Sequence, residues 1–187
     1  MQIDQPVFRS VQQALSFSFL METLPVSQKS QMSAIYIQGG NNGRGDDSPV
    51  VSSITFGGLN PLEVRGQCAM VRAAVQDHLM LSERMAILAR YAYQSQKASG
   101  VRHIRDKSMP LLSCKDEFAA LCMAWSIFGT EEQKEGLSTR AIADAYSLSQ
   151  SMVARDTKEI RRTFKIFLYG AHDKLESLFK NSHLIDE

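Results

Sequence analysis

The segment from residue 137 to residue 165, LSTRAIADAYSLSQSMVARDTKEIRRTFK, constrains the fold more than any other part of the chain. Ser138 and Ser149 each precede a helical pattern, at the position where a serine side chain caps the first turn of a helix. A tight turn at Ser147 and Leu148 separates a short first helix from a long second one. Residues suited to an inner face recur at helical spacing: Ile142, Ala143, Tyr146, Val153, Thr157, Ile160 and Phe164.

The outward positions of this segment are polar or basic. Residues 138–165 contain six basic and three acidic side chains, a local charge of +3 in a chain of formal net charge +1. Residues 166–187 carry two lysines against four carboxylates, so the positive charge is concentrated on the segment before them. We predict a binding face of twelve residues: Ser138, Thr139, Arg140, Ser149, Gln150, Ser151, Ala154, Arg155, Lys158, Arg161, Arg162 and Lys165.

The segment resembles the helix-turn-helix of bacterial and phage DNA-binding regulators. The resemblance rests on Ile142-Ala143 and on the run LSQSMVARD at residues 148–156. It departs from the usual pattern at Ser147, where glycine is expected, and at Met152, which is often threonine. The resemblance implies a helix-turn-helix over residues 138–164 whose second helix enters the major groove of double-stranded DNA.

The residue types suggest how such a face would read DNA. A glutamine such as Gln150 suits an adenine edge, and an arginine such as Arg155 suits a guanine edge. The start of the first helix, with its short polar side chains, suits a phosphate group. Asp156 would repel phosphate, so we expect it to turn sideways and pair with Arg155 or Arg140.

A second resemblance covers more of the chain. The segment from Leu81 to Tyr91 is similar to the first helices of sigma-factor region 4, and the whole arrangement is similar to phage late-gene antitermination regulators of the Q type. This resemblance implies RNA polymerase as a partner and a bacterial cytoplasm, with a phage or prophage as the origin. Some members of that group carry a zinc-binding insertion, for which no ligand set is visible here.

The remaining sequence predicts an all-α helical bundle. We predict an N-terminal helical segment at 1–37, a flexible linker at 38–58 with a weak strand pattern at 50–56, and a helical DNA-binding domain at 59–187. The first helix is predicted from Gln5 to Leu24, with Asp4 as its cap. Further helices are predicted from Asn60 to His78, from a cap at Ser82, and from a cap at Ser113 to Gly129.

Two details of these helices are open to test. In the helix that ends at His78, we expect a buried face that consists of Leu62, Ala69, Met70, Ala73 and Ala74. The basic segment 97–107 is predicted to be a solvated connection between helices, with a second phosphate contact as the alternative. Past Phe164 the second helix of the motif is predicted to continue, ending near Gly170 or restarting toward Phe179, and its apolar residues suit either the core or a dimer contact.

Other functions find little support in the sequence. The three cysteines lack metal-ligand spacing, and the four histidines are scattered without a carboxylate constellation. We therefore predict that the protein is not an enzyme and binds no cofactor or metal. We also expect neither a secretion signal nor a membrane span. A DNA-packaging or recombination accessory protein, and a structural helical module for protein interaction, remain as alternatives to a transcriptional regulator. The sequence also leaves a homodimer open.

Overall fold

The described part of the computed structural model, residues 7–23 and 61–185, is helical and contains no strand. A single parallel bridge pairs Phe8 with Ile185, and a 3-10 turn spans Met109–Leu111. The predicted all-α class is confirmed, whereas Asp4, the loop at 38–49 and the strand pattern at 50–56 lie outside the described residues. The α-helices in those ranges are α1 (Val11–Thr23), α2 (Pro61–His78), α3 (Leu81–Tyr91), α4 (Gln94–Ser108), α5 (Glu117–Phe128), α6 (Glu131–Lys134), α7 (Thr139–Ala145) and α8 (Gln150–Asn181).

The chain divides into two compact units. The first comprises Met1–Leu79 and His172–Glu187, and the second comprises Met80–Ala171. The division falls inside α8, which runs through Gly170 without a break and ends at Asn181. The predicted boundaries at 1–37, 38–58 and 59–187 stay a prediction, because the linker that defines them lies outside the described residues.

In the first unit, α1 begins at Val11 and not at Gln5 as predicted. Residues 7–10 are not helical, and the backbone N–H of Phe8 donates instead to the carbonyl of Leu184 at 3.1 Å. Ser10 is the cap, since its hydroxyl accepts the N–H of Gln13 at 3.2 Å. The Gln13 side chain in turn accepts the N–H of Arg9 at 2.7 Å, so two reciprocal side chain–backbone hydrogen bonds cap the first turn.

The buried face of α2 differs from the predicted one. Leu62 is 72% exposed and Met70 is 55% exposed, while Ala69 and Ala73 are exposed and Ala74 is half-buried. Val64, Cys68, Val71 and Val75 form the buried stripe instead, at spacings of four, three and four. Burial raises the pKa of the Cys68 thiol, which keeps it protonated at neutral pH.

Two helix caps in the second unit also differ from the predicted ones. Met80, not Ser82, is the N-cap of α3, and the Glu83 carboxylate accepts the Met80 N–H at 3.0 Å. Ser82 contacts His103 Nε2 through its hydroxyl at 3.0 Å. Asp116, not Ser113, caps α5 and accepts the N–H groups of Phe118 and Ala119, at 2.8 and 2.9 Å.

The basic segment 97–107 is not a connection, because it lies inside α4. Val101 and Ile104 are fully buried and hold the helix to the core of the second unit. Arg102 and Lys107 are exposed on its outer side. The charge pattern suggested a solvated loop, but the helix has a buried side, formed by Gly100, Val101, Ile104 and Ser108, opposite its basic outer side.

Gly100 marks the closest approach of α3 to α4. A Cβ atom there would lie 2.5 Å from Ala89 N and 2.6 Å from Met85 O, both backbone atoms of α3. We expect Gly100→Ala to lower the free energy of unfolding of the second unit by about 1–3 kcal/mol, because the two helices must separate to admit the methyl group. Denaturant titration followed by circular dichroism measures the change.

Gly66 provides the matched control for that substitution. It lies inside α2, and a Cβ atom there meets nothing within 4 Å. Gly66→Ala should therefore raise stability by roughly 0.5–1 kcal/mol through helix propensity alone. A Gly100→Ala variant as stable as Gly66→Ala would contradict the close packing of α3 on α4.

Candidate nucleic-acid interface

The connection between α7 and α8 is a tight turn formed by residues 146–149. The N–H of Leu148 donates to the carbonyl of Ala143 at 2.9 Å, and Ser147 has a φ of 55°. A left-handed residue followed by this backbone bond is the arrangement that ends many helices. Ser147 therefore occupies the conformation that glycine usually takes, at a cost of roughly 1 kcal/mol. The predicted tight turn at Ser147 and Leu148 is confirmed.

Both helices carry the caps that the sequence predicts. The Ser138 hydroxyl accepts the N–H of Ala141 at 3.1 Å, and the Ser149 hydroxyl accepts the N–H of Met152 at 3.2 Å. At the end of α7, the Tyr146 hydroxyl lies 3.5 Å from the Cys122 sulfur on α5. This hydrogen bond raises the pKa of Tyr146.

An apolar stripe packs α7 and the first part of α8 against the rest of the second unit. Ile142 and Ala143 of α7 are buried, and Leu148 in the turn is half-buried. On α8 the stripe continues with Val153, Ile160 and Phe164, all buried. The Phe164 ring meets Phe128 of α5 edge to face, with ring centroids 4.6 Å apart. The buried side is therefore fixed by aromatic and aliphatic packing.

The twelve predicted site residues are all exposed. On α8 they follow one side of the helix in steps of three and four, from the first turn to Lys165, over about 22 Å at 1.5 Å per residue. We call this set the polar face. Its members are Ser138, Thr139, Arg140, Ser149, Gln150, Ser151, Ala154, Arg155, Lys158, Arg161, Arg162 and Lys165.

The charges of the polar face are only partly neutralised. Arg140 lies 4.0 Å from Asp144, and Arg162 lies 3.7 Å from Glu159, both on neighbouring turns of their helices. Such exposed pairs are worth little and rearrange easily. Within the described ranges, three cations of the face make no ion pair: Lys158, Arg161 and Lys165.

Asp156 does not belong to the polar face, although it follows Arg155 directly. It is 1% exposed, and its carboxylate accepts the backbone N–H of Cys114 at 2.7 Å. The expected pairing with Arg155 is present as an ion pair, with Arg155 Nε at 3.8 Å from the carboxylate. The main partner of Asp156 is nevertheless a backbone group 42 residues away in sequence, which the sequence pattern did not reveal.

Residues 112–116, which we call the 112–116 loop, form a second part of the site that sequence analysis missed. Besides the Cys114–Asp156 bond, Arg155 Nη2 donates to the Ser113 hydroxyl at 2.6 Å. The loop is therefore attached to the second turn of α8 at two points. The signal that could have revealed it is the pair of polar residues around Cys114, Ser113 and Lys115, which lie between two helices.

The cations of α4 are distributed differently. Arg105 lies 2.6 Å from Asp106 and 3.3 Å from Glu117, so two carboxylates neutralise it. Burial, with a smaller contribution from Lys107, lowers the pKa of His103. His103 is thus neutral at pH 7, and the exposed cations of α4 are Arg102 and Lys107.

The described ranges contain no group of three or more side chains suited to hold a metal ion, and the three cysteines are free thiols. Among the described helices, none has the length and apolar character that crossing a membrane requires. No protein-family model matches the chain, and a comparison with curated proteins finds no match.

Proposed function

We propose that residues 138–165 form a helix-turn-helix that binds double-stranded DNA at a specific sequence, and that the protein regulates transcription through this binding. The observation that carries the proposal is that every residue of the polar face is exposed while the apolar stripe behind it is packed. A structural hairpin needs only the packed side. A surface of short polar and cationic side chains on the first turns of α8 matches what base edges and phosphates require.

Binding begins with the cations of the polar face. Lys158, Arg161 and Lys165 attract the phosphate backbone over a long range and release counterions on contact, which makes affinity depend on salt. The first turns of α8 then enter the major groove, where Gln150 meets an adenine edge. The start of α7 offers backbone N–H groups and the Thr139 hydroxyl to a phosphate.

Arg155 is the residue best placed to read a guanine. One of its five N–H donors is bound to the Ser113 hydroxyl, and the ion pair with Asp156 restrains its Nε side. The remaining donors of the guanidinium include both hydrogens of Nη1 and one of Nη2. These are the groups that form two parallel hydrogen bonds to O6 and N7 of guanine. A side chain held in this way loses less conformational entropy on binding.

We expect Arg155→Ala to abolish the preference for one base pair of the target. Duplexes are first selected from a random pool with the wild-type protein, and affinities of both proteins are then measured for the selected site and for single-base variants of it. At the base pair that Arg155 reads, discrimination should fall by about 1–3 kcal/mol, while discrimination at the other positions stays unchanged.

Arg102→Ala on the outer side of α4 is the control, because it removes an exposed arginine outside the polar face. It should leave base preference unchanged at every position. If the pool yields no preferred duplex and the wild-type protein binds none even at low salt, the segment is a structural hairpin and the proposal fails.

The regulatory role and the partners are part of the same proposal. The resemblance of the Leu81–Tyr91 segment to sigma-factor region 4, and of the whole arrangement to phage late-gene regulators, is the reason to propose RNA polymerase as a partner. Repeated half-sites in the selected duplexes would indicate a homodimer. The spacing of two half-sites by one helical turn of DNA is the expected signature of a two-fold symmetric dimer. Sedimentation of the protein with and without such a duplex distinguishes one bound copy from two.

A further inference from the structure

Two hydrogen bonds, one buried and one exposed, fix the 112–116 loop beside the polar face. The Cys114 N–H is held by a carboxylate that is itself 1% exposed, and Cys114 is buried as well. The Ser113 hydroxyl is held by Arg155 at 2.6 Å. Because a buried, charge-assisted hydrogen bond is stronger than an exposed one, the loop has a defined position relative to the second turn of α8.

The exposed side chains of this loop retain hydrogen-bond donors. Ser113 is exposed and uses its oxygen to accept from Arg155, so its own O–H remains to donate. Lys115 is exposed and gives one of its three N–H groups to the carbonyl of Leu112 at 2.7 Å. Two ammonium hydrogens therefore remain for a ligand.

The acidic residues next to Lys115 are engaged elsewhere. The Asp116 carboxylate accepts two N–H groups at the start of α5, and Glu117 pairs with Arg105 at 3.3 Å. Lys115 itself makes no ion pair with the described residues. The loop thus presents a hydroxyl donor at Ser113, which is bonded to the arginine proposed to read a base, and an exposed cation two residues further along the chain, at Lys115.

We infer that the 112–116 loop is a second DNA-contacting element, which binds the sugar–phosphate backbone next to the base pair read by Arg155. This inference rests on the proposed function of the polar face. Serine hydroxyls and lysines are common phosphate ligands, and such contacts fix the register of a protein on the duplex without carrying sequence information. Since Ser113 is bonded to Arg155, the backbone contact and the base contact form one connected unit, in which Asp156 is a positioning residue.

The test is Lys115→Ala in the full chain, measured against the duplex selected by the wild-type protein. The slope of log affinity against log salt should become shallower by about 0.9, the amount expected for one phosphate contact. The preferred sequence should stay the same, because a phosphate contact does not read bases. Lys115→Arg should restore the slope, and Lys107→Ala on α4 should leave it unchanged.

Failure of the inference and failure of the proposed function have different signatures. If the wild-type protein binds its duplex with an Arg155-dependent preference but Lys115→Ala keeps the wild-type slope, only the inference about the loop is overturned. If the wild-type protein binds no duplex, the proposed function fails and the inference fails with it. Circular dichroism of each variant shows that the fold is unchanged, as expected for an exposed side chain.

Discussion

Replacing Lys158, Arg161 and Lys165 together with alanine should weaken DNA binding about 100-fold near 0.2 M salt. These three cations of the polar face are exposed and, within the described residues, make no ion pair, so nothing in the folded protein competes with phosphate for them. Each phosphate contact contributes about 0.9 to the salt slope, so the slope should fall by roughly 2.7. Affinity measured for the selected duplex between 50 mM and 300 mM salt gives both quantities.

A second triple variant controls for net charge. Arg9, Arg102 and Lys107 are also exposed, and their replacement removes the same three positive charges from outside the polar face. Long-range attraction would weaken slightly, but the slope should stay close to that of the wild-type protein. Equal slopes in the two triple variants would show that positive charge acts diffusely, and the polar face would lose its assignment as the phosphate-binding surface.

The parts of the site that could be predicted from the sequence are those that depend on local interactions. Ser138 and Ser149 each accept an N–H from three residues further along the chain, so the signal and its partner lie in one short window. The left-handed Ser147 was likewise marked by the turn between two helical patterns. The exposure of the twelve residues of the polar face followed from periodicity, because Val153 and Ile160 define the opposite side unambiguously.

Periodicity was insufficient where one helix carries two apolar sides. In α2, the predicted stripe that includes Leu62 and Met70 and the observed stripe that includes Val64 and Val71 both have helical spacing. Local pattern cannot choose between them, because the choice depends on what the helix packs against. The Arg72 side chain donates to the carbonyl of Ser18 in α1 at 2.7 Å, a contact between residues 54 apart that accompanies the observed face.

The role of Asp156 was beyond sequence analysis for a related reason. In a helix that faces DNA, an aspartate beside an arginine suggests an ion pair between neighbours, and that pair is present but long. The shorter contact goes to the backbone of Cys114, and any residue type except proline could supply a backbone N–H. No sequence signal marks such a donor, so the pairing of Asp156 with Arg155 was predicted correctly while its main structural partner was missed.

Asp156→Ala should lower the free energy of unfolding of the second unit by about 3 kcal/mol. The substitution removes a hydrogen bond to a charged acceptor and leaves the buried Cys114 N–H without its partner. It also removes one of the two hydrogen bonds that attach the 112–116 loop to α8, so base discrimination at the pair that Arg155 is proposed to read should weaken even in protein that remains folded. Urea titration followed by circular dichroism measures the first effect, and affinity for single-base variants of the duplex measures the second.

Asp144→Ala is the matched control for Asp156→Ala, because both remove one aspartate from the proposed helix-turn-helix. Asp144 is exposed and lies 4.0 Å from Arg140, an ion pair worth less than about 1 kcal/mol. Its loss should leave stability nearly unchanged and should not weaken DNA binding, since it removes a negative charge next to a cation of the polar face. A similar stability loss in both variants would contradict the buried anchor, because an exposed carboxylate would then matter as much as one held against the backbone of the loop.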